Sequence, residues 1–425
     1  MGIVIKNVHI LGQEREKRTD VYITGDHIAS IGKEPASFLK DEEIDGSHKF
    51  LMPGLINAHT HGYMTLMRNY ADDLPFHEWL FGRILPMEDE LTPEDAYWGT
   101  LLGMAEMIRS GTTTFVDMHM FPRMVVKACA SSGMRALLTR GLVGSDRHDE
   151  GGMKRIEQAM DEMEYGKSIG APCMFGLGPH AIYTCGEDFL RYVTELAHEK
   201  GLLINMHLAE TKKEFDDCLA EHGMTPAEYA ASLGMTDGPA IFAHCVYLGE
   251  NDFGILANPN VSVATNPASN MKLANGFAPV PRMLKEGIRV ALGTDGAGSN
   301  NNLNLFTEMH LLTLAHKGNL CDSLVLNAEE TVRIATKNGA AAIGREDLGS
   351  IEPGKTADLV LIDENAPSMI PNFNRMAAVA YSANGSEVSD VLIGGRIVMR
   401  DRQLMTIDEE RVHYEVERVA SRFRG

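Results

Sequence analysis

The sequence predicts an α/β fold: an eight-unit parallel β/α barrel joined to a small β domain assembled from both chain ends. Three observations carry that expectation. Short apolar runs alternate with helix-like segments through the middle of the chain, strand-rich stretches with tight turns flank it on both sides, and histidines and carboxylates stand at the far ends of the middle runs. Alternation of strand and helix patterns points to a parallel sheet covered by its crossover helices.

Residues 1–53 carry the first strand-rich stretch, GIVIKNVHIL, DVYITGDHIASIG and KFLMPG, with a hairpin turn at Thr24-Gly25-Asp26. Residues 54–345 hold eight strand candidates: 55–61 (LINAHTH), 112–119 (TTTFVDMH), 135–143 (RALLTRGLV), 172–183 (PCMFGLGPHAIY), 202–210 (LLINMHLAE), 240–246 (AIFAHCV), 261–267 (VSVATNP) and 289–296 (RVALGTDG). Between them lie helical patterns; the one at 93–111 ends on a glycine, as a helix C-terminus should. Eight β/α units over about 290 residues match the size of a TIM barrel. Residues 346–425 return to strand character in TADLVLID (356–363), MAAVAYSA (376–383) and VSDVLIGGRIVMRD (388–401), the last turning at Gly394-Gly395.

A chain of 425 residues with 44% hydrophobic and 23% charged residues has an ordinary globular composition, long enough for one large unit and a small one. The net charge of −20 argues against nucleic acid or an anionic membrane surface as partner, since both would be repelled. The six cysteines lie far apart with no Cys-x-x-Cys pair, which suits reduced thiols better than a disulfide framework or a cysteine zinc site. The N-terminus lacks the pattern of a secretory signal, and no apolar run nears the roughly 18 residues of a membrane span. A cytoplasmic location is expected.

A barrel of this type carries its chemistry at the C-terminal ends of its strands. His59 and His61, in GLINAHTHG, are two residues apart at such an end and so point to one face, as two ligands of one metal must. His180 ends the fourth strand, His207 the fifth with Glu210 just beyond it, His244 the sixth and Asp295 the eighth. Catalytic zinc-type sites combine histidine nitrogen with carboxylate oxygen and leave one position for water, whose pKa falls toward neutrality. His59, His61, His207 and Asp295 are the candidate ligands. Glu210 is placed to move protons, and His244 to hydrogen-bond the attacking water. Each residue alone has a plainer reading: the chain has 16 histidines, and Asp295 in GTDG suits a turn. What singles them out is their recurrence at strand ends in barrel order. Asp117 and His119 also end a strand and receive no role, and the 25 methionines read as adaptable core filling.

The stretches PGLINAHTHGYMTLMR, GTTTFVDM, HLAET, HCV, NPASNMKLANGFAPV and GTDGAGSNNNLNLFTEM together resemble the amidohydrolase superfamily, and within it the 5-methylthioadenosine/S-adenosylhomocysteine deaminase family. The resemblance covers essentially the whole chain. It implies a distorted (β/α)8 TIM barrel with a small β-sandwich built from both termini. It also implies one divalent metal per subunit, usually zinc, on His59, His61, His207 and Asp295; iron and manganese take similar donors. The implied reaction is hydrolytic deamination of the adenine ring of 5′-modified adenosines, with Glu210 protonating the ring nitrogen and His244 and Asp295 serving the attacking water. By resemblance alone, Glu88 meets the ribose hydroxyls, Arg140 the distal end of the substrate and His180 the purine; Glu210 and Asp295 touch substrate as well. Arg147 and Arg155 both remain open as the partner of a substrate carboxylate, and a homo-oligomer, dimer or tetramer, is implied. The alternatives are another reaction on the same site, such as guanine or cytosine deamination or triazine dechlorination, and a non-catalytic metal-binding scaffold.

Overall fold

The structure, a computed structural model, describes residues 1–14 and 17–424. Its first strand, β1 (Gly2–Ile10), turns Ile3 and Ile5 into a small apolar core. At Asn7, with φ of +53°, one extra residue bulges out, so that Val8 and Ile10 rejoin the same core despite the change of parity. β2 (Arg18–Thr24), β3 (His27–Ile31), β4 (Glu42–Asp45) and β5 (Lys49–Pro53) follow, β2 and β3 joined at the expected turn.

Gly54 then leads into the barrel: β6 (Leu55–Thr60), β7 (Thr112–His119), β8 (Arg135–Leu142), β9 (Cys173–Pro179), β10 (Leu203–Leu208), β11 (Ala240–His244), β12 (Val261–Thr265) and β13 (Arg289–Leu292). All eight expected strands are present, in sequential order and all parallel. Several end earlier than expected, because the chain turns at His180, at Ala209 and after Leu292 to open the loops that carry the site. Between β13 and β6 closure is made beyond the strand end: the N–H groups of Thr294 and Asp295 both donate to the His59 carbonyl, at 3.1 and 3.0 Å. The Asn57 amide adds a bond to the Thr294 hydroxyl at 2.8 Å. The helix at 93–109 is fixed by a capping box between Thr92 and Asp95, and Gly111, at φ +78°, turns the chain one residue past the Ser110 cap.

The remaining strands, β14 (Leu359–Asp363), β15 (Val388–Ile393), β16 (Arg396–Arg400) and β17 (Gln403–Leu404), join β1–β5 in one nine-stranded sheet of both chain ends. β14 pairs antiparallel with β5. The sheet curls back on itself, since Ile28 N–H donates to Lys355 O at 2.9 Å and Ala357 N–H to Asp26 O at 2.8 Å. β5 and β14 are apolar at successive positions because both their faces are buried: Leu51, Leu359 and Leu361 fill the small core, while Phe50, Met52, Val360 and Ile362 pack into the barrel's outer core. That shared wall attaches the terminal sheet to the barrel.

One expectation fails. MAAVAYSA is helical, running from Arg375 to Ser382, and is not a strand. Its four alanines favour helix, and the Asn374 side chain caps the turn by accepting from Ala377 N–H at 3.1 Å. The six cysteines are all free, and among the described residues no helix is long and apolar enough to cross a membrane.

The Gly394-Gly395 turn has φ of +54° and +70°, and a Cβ on Gly395 would strike the carbonyl of Gly25 in the neighbouring hairpin turn. Gly395→Ala is therefore expected to cost about 2 kcal/mol, from the left-handed backbone and the clash together. Thermal unfolding should show a midpoint a few degrees lower; an unchanged midpoint would contradict this packing of the two turns.

Candidate active site

The residues that matter sit where the barrel strands end, and the backbone there is unusual. Ala209, His244, Cys245 and Asp295 all have positive φ, at +54°, +75°, +47° and +62°. None is glycine, so each position carries strain that its surroundings hold in place. The effect is to turn the side chains after β10, β11 and β13 inward over the barrel mouth.

His61 and His207 face each other with their Nε2 atoms 3.2 Å apart. Each Nδ1 lies against a backbone carbonyl, that of Met118 at 2.7 Å for His61 and that of His180 at 2.8 Å for His207. A carbonyl only accepts, so each Nδ1 carries the proton and both Nε2 atoms present lone pairs to one another. Two acceptors at that distance need something positive between them. His59 is fully buried, and among the described residues neither of its ring nitrogens has a partner within hydrogen-bond geometry. The Asp295 Oδ1 atom lies 3.7 Å from His59 Nε2 and 3.4 Å from His61 Nε2. Burial, then neighbouring imidazoles, push His59 and His207 well below the usual histidine range, which keeps them neutral donors. Burial raises the Asp295 carboxyl, but the imidazoles of His61, His244 and His59 outweigh it and hold the group ionised. Orphaned nitrogens, opposed lone pairs and a facing carboxylate suit a divalent cation of the zinc type.

Around this centre each polar group has a support. Asp295 Oδ2 accepts from the hydroxyls of Ser269 and Ser299 at 2.6 and 2.7 Å, and Oδ1 from Gly296 N–H at 2.8 Å. His244 Nδ1 donates to Asn270 Oδ1 at 2.8 Å; burial lowers its pKa, but the Glu210 and Asp295 carboxylates outweigh that and raise it above the usual histidine range. Glu210 takes one bond, from the Asn275 amide at 3.0 Å, and its burial raises the carboxyl above the usual range. The turn that presents it is held by Glu214, whose two oxygens accept from the N–H groups of Ala209 and Glu210 at 2.9 and 2.8 Å.

His61, His180, His207, Glu210, His244 and Asp295 line one cavity of about 280 Å³, with Glu88 at another part of its wall. Phe76, Trp79, Leu80, Phe81 and Leu85 supply an apolar side. Glu88 is buried, hydrogen-bonded by the Tyr63 hydroxyl, and raised by burial. His180 is pushed down to about 4 by burial and by His61, and its Nδ1 meets Thr184 Oγ1 at 3.0 Å. Arg140 is buried behind the wall on the Gly141 carbonyl at 2.8 Å, its Nε unpartnered. Of the two open arginines, Arg147 is tied to Asp188 on the surface at 2.8 Å, whereas Arg155 reaches the carbonyl of Val143, a lining residue, at 3.3 Å. Asp117 and His119 lie behind the site: Asp117 accepts from Gly62 N–H at 2.6 Å, and His119 pairs with buried Glu162 at 3.0 Å. Sequence reasoning missed Ser269, Ser299, Asn270, Asn275, Glu214 and Tyr63. All lie inside or within four residues of the stretches quoted above, but nothing in their spacing marks them as site residues.

The amidohydrolase family model matches residues 50–398. The chain is 45% identical over 426 residues to a 5-methylthioadenosine/S-adenosylhomocysteine deaminase of Thermoanaerobacter pseudethanolicus, covering 99% of each protein. It is 46% identical over 419 residues to a 5′-deoxyadenosine deaminase of Methanocaldococcus jannaschii, covering 98% of each. Among solved structures, an adenosine deaminase of Xanthomonas campestris with bound zinc superposes with a TM-score of 0.92 at 30% identity, over 99% of this chain and 98% of that one.

Glu214→Gln would turn an amide nitrogen onto one of the two backbone N–H groups and leave that donor without an acceptor. The expected cost is about 1–3 kcal/mol. It should appear as a lower denaturant midpoint at unchanged slope, and a midpoint equal to the parent's would show that this carboxylate does not hold the turn.

Proposed function

The chain belongs to the amidohydrolase family, and on that premise we propose that it hydrolyses the adenine amino group of 5′-modified adenosines. The substrates are 5′-methylthioadenosine and S-adenosylhomocysteine, extending to 5′-deoxyadenosine and adenosine; the products are the inosine analogue and ammonia. The observation that carries this reading is Glu210, a buried carboxyl that lines the same cavity as the facing imidazoles and the apolar side chains of Phe76, Trp79 and Leu80. A metal scaffold needs no such proton carrier.

In this reading His59, His61, His207 and Asp295 hold one divalent metal. Zinc is proposed because the nitrogen and oxygen donor set suits it and the Xanthomonas campestris deaminase contains it. When bound, the metal supplies Lewis acidity that brings the pKa of a water toward neutrality. Glu210, whose carboxyl burial raises above the usual range, gives a proton to the ring nitrogen beside the amino-bearing carbon, from the oxygen that Asn275 does not occupy. Asp295 takes a proton from the water as its oxygen bonds to that carbon, and His244 holds the same oxygen through Nε2. On collapse, Asp295 delivers its proton to the amino group, which leaves as ammonia, and the remaining hydroxyl proton restores Glu210. The carbonyl product forms and the carboxyls end as they began. Glu88 receives the ribose hydroxyls and His180 contacts the purine, while Arg140, behind the cavity wall, backs the distal end through the carbonyl of Gly141. Arg155, reaching a wall carbonyl while Arg147 is tied up with Asp188, is the arginine proposed for a substrate carboxylate. The reading includes a homo-oligomer on the resemblance alone, and a cytoplasmic location in keeping with six free thiols.

The test is ammonia release by zinc-loaded protein from methylthioadenosine, S-adenosylhomocysteine, 5′-deoxyadenosine, adenosine, guanine and cytosine. Nucleosides should turn over and free bases should not. Glu210→Gln should lower kcat about 10²–10⁴-fold with zinc still bound, and Glu88→Ala should raise KM for nucleosides by about 10–100-fold. Turnover of free bases alone would overturn the role of Glu88, and silence of the metal-loaded protein on every compound would overturn the activity.

A further inference from the structure

GTDGAGSNNNLNLFTEM ends in a carboxylate that the proposed chemistry leaves unused. Glu308 lies in the first turn of the helix Leu305–Leu320 and is fully buried. Its Oε1 accepts from the Asn300 amide at 2.7 Å and its Oε2 from Ala268 N–H at 3.0 Å. No cation is among its partners, and burial pushes its carboxyl up to about 8 against the pull of those two donors. An apolar side chain would be easier to bury at this depth.

The two donors come from different segments, Ala268 from the short helix Pro267–Lys272 after β12 and Asn300 from the loop after β13. Next to Ala268 stands Ser269, and next to Asn300 stands Ser299. These are the two serines whose hydroxyls converge on Asp295 Oδ2. Asn300 also donates to the carbonyl of Thr294, the residue before Asp295, at 2.6 Å. Asp295 thus reaches Glu308 by three short routes through both segments, with Oδ2 held by the two serines and Oδ1, which also accepts from Gly296 N–H, facing His59 and His61.

We infer that Glu308 is a positioning residue for the reaction: it clamps the segments after β12 and β13 together and so fixes the direction of the Asp295 carboxylate. Two oxygens are needed because two donors arrive from two segments. A glutamine there offers one oxygen, and its amide nitrogen would face the second donor. The inference rests on the proposed role of Asp295 as metal ligand and proton carrier.

The experiment compares zinc-loaded parent, Glu308→Gln, Asn300→Ser and the double variant in two readouts, steady-state deamination of methylthioadenosine and the rate of zinc loss to a chromogenic chelator. Glu308→Gln should lower kcat about tenfold or more with KM within about twofold, since a misdirected carboxylate affects the transition state more than binding. Zinc should leave faster. Asn300→Ser should move both readouts the same way, and the double variant should be no worse than the poorer single one, because both cut one clamp. Folded Glu308→Gln with parental kcat and zinc release, or losses that add in the double variant, would overturn the inference. If Glu308→Gln does not fold, Asn300→Ser carries the same test alone. A parent that binds no zinc or releases no ammonia would contradict the functional reading itself, whereas a normal parent beside an unaffected variant contradicts only the role of Glu308.

Discussion

Everything at the barrel mouth depends on the confrontation of His61 and His207. Their Nδ1 protons are committed to backbone carbonyls, so their Nε2 atoms are turned toward one another, 3.2 Å apart. Such an arrangement repels unless a cation stands between, and the strand ends must be held rigidly for it to persist. The rest of the local structure can be understood as that restraint. Met118 and His180 lend their carbonyls from neighbouring strand ends, so the tautomers are set by the parallel sheet and not by solvent. Closure of the barrel between β13 and β6 uses the His59 carbonyl as acceptor, which ties the Asp295 backbone directly to the residue its side chain faces.

A second theme is backbone strain at the functional face. Four non-glycine residues in left-handed conformation would each cost about 1–3 kcal/mol in isolation. They are held by the bonds around them: Glu214 accepts from the Ala209 and Glu210 N–H groups, the Leu208 carbonyl from Cys245 N–H at 3.0 Å and the His59 carbonyl from Asp295 N–H at 3.0 Å. Buried acids thus serve this protein in two distinct ways. Glu210 and Asp295 face the cavity, while Glu214 and Glu308 lie one layer down and hold loops. The terminal sheet supports the opposite side of the barrel through the double-faced strands β5 and β14.

Much of this was legible from residues alone, for physical reasons. Parallel strands buried on both faces are continuous apolar runs, and all eight stood out; the two-residue spacing of His59 and His61 marks one face of a strand regardless of context. MAAVAYSA misled because its apolar run does not separate a buried strand from a buried alanine-rich helix, and the cap at Asn374 decided the matter. Ser269, Asn275 and Glu308 were invisible for a different reason. They join segments remote in sequence, and a single serine, asparagine or first-turn glutamate carries no periodicity that marks it. Arg147 and Arg155 looked equivalent in the sequence, and only the surface partner Asp188 separates them.

The most direct test of the central claim is titration of metal-free protein with cobalt(II), followed by the visible ligand-field absorption of the bound ion. The account predicts one ion per chain, bands indicative of mixed nitrogen and oxygen donors, displacement by zinc, and loss of tight binding in His61→Ala and in Asp295→Ala. Absence of any tight site, or a site unaffected by both substitutions, would contradict the claim that the opposed imidazoles and the facing carboxylate form a metal centre.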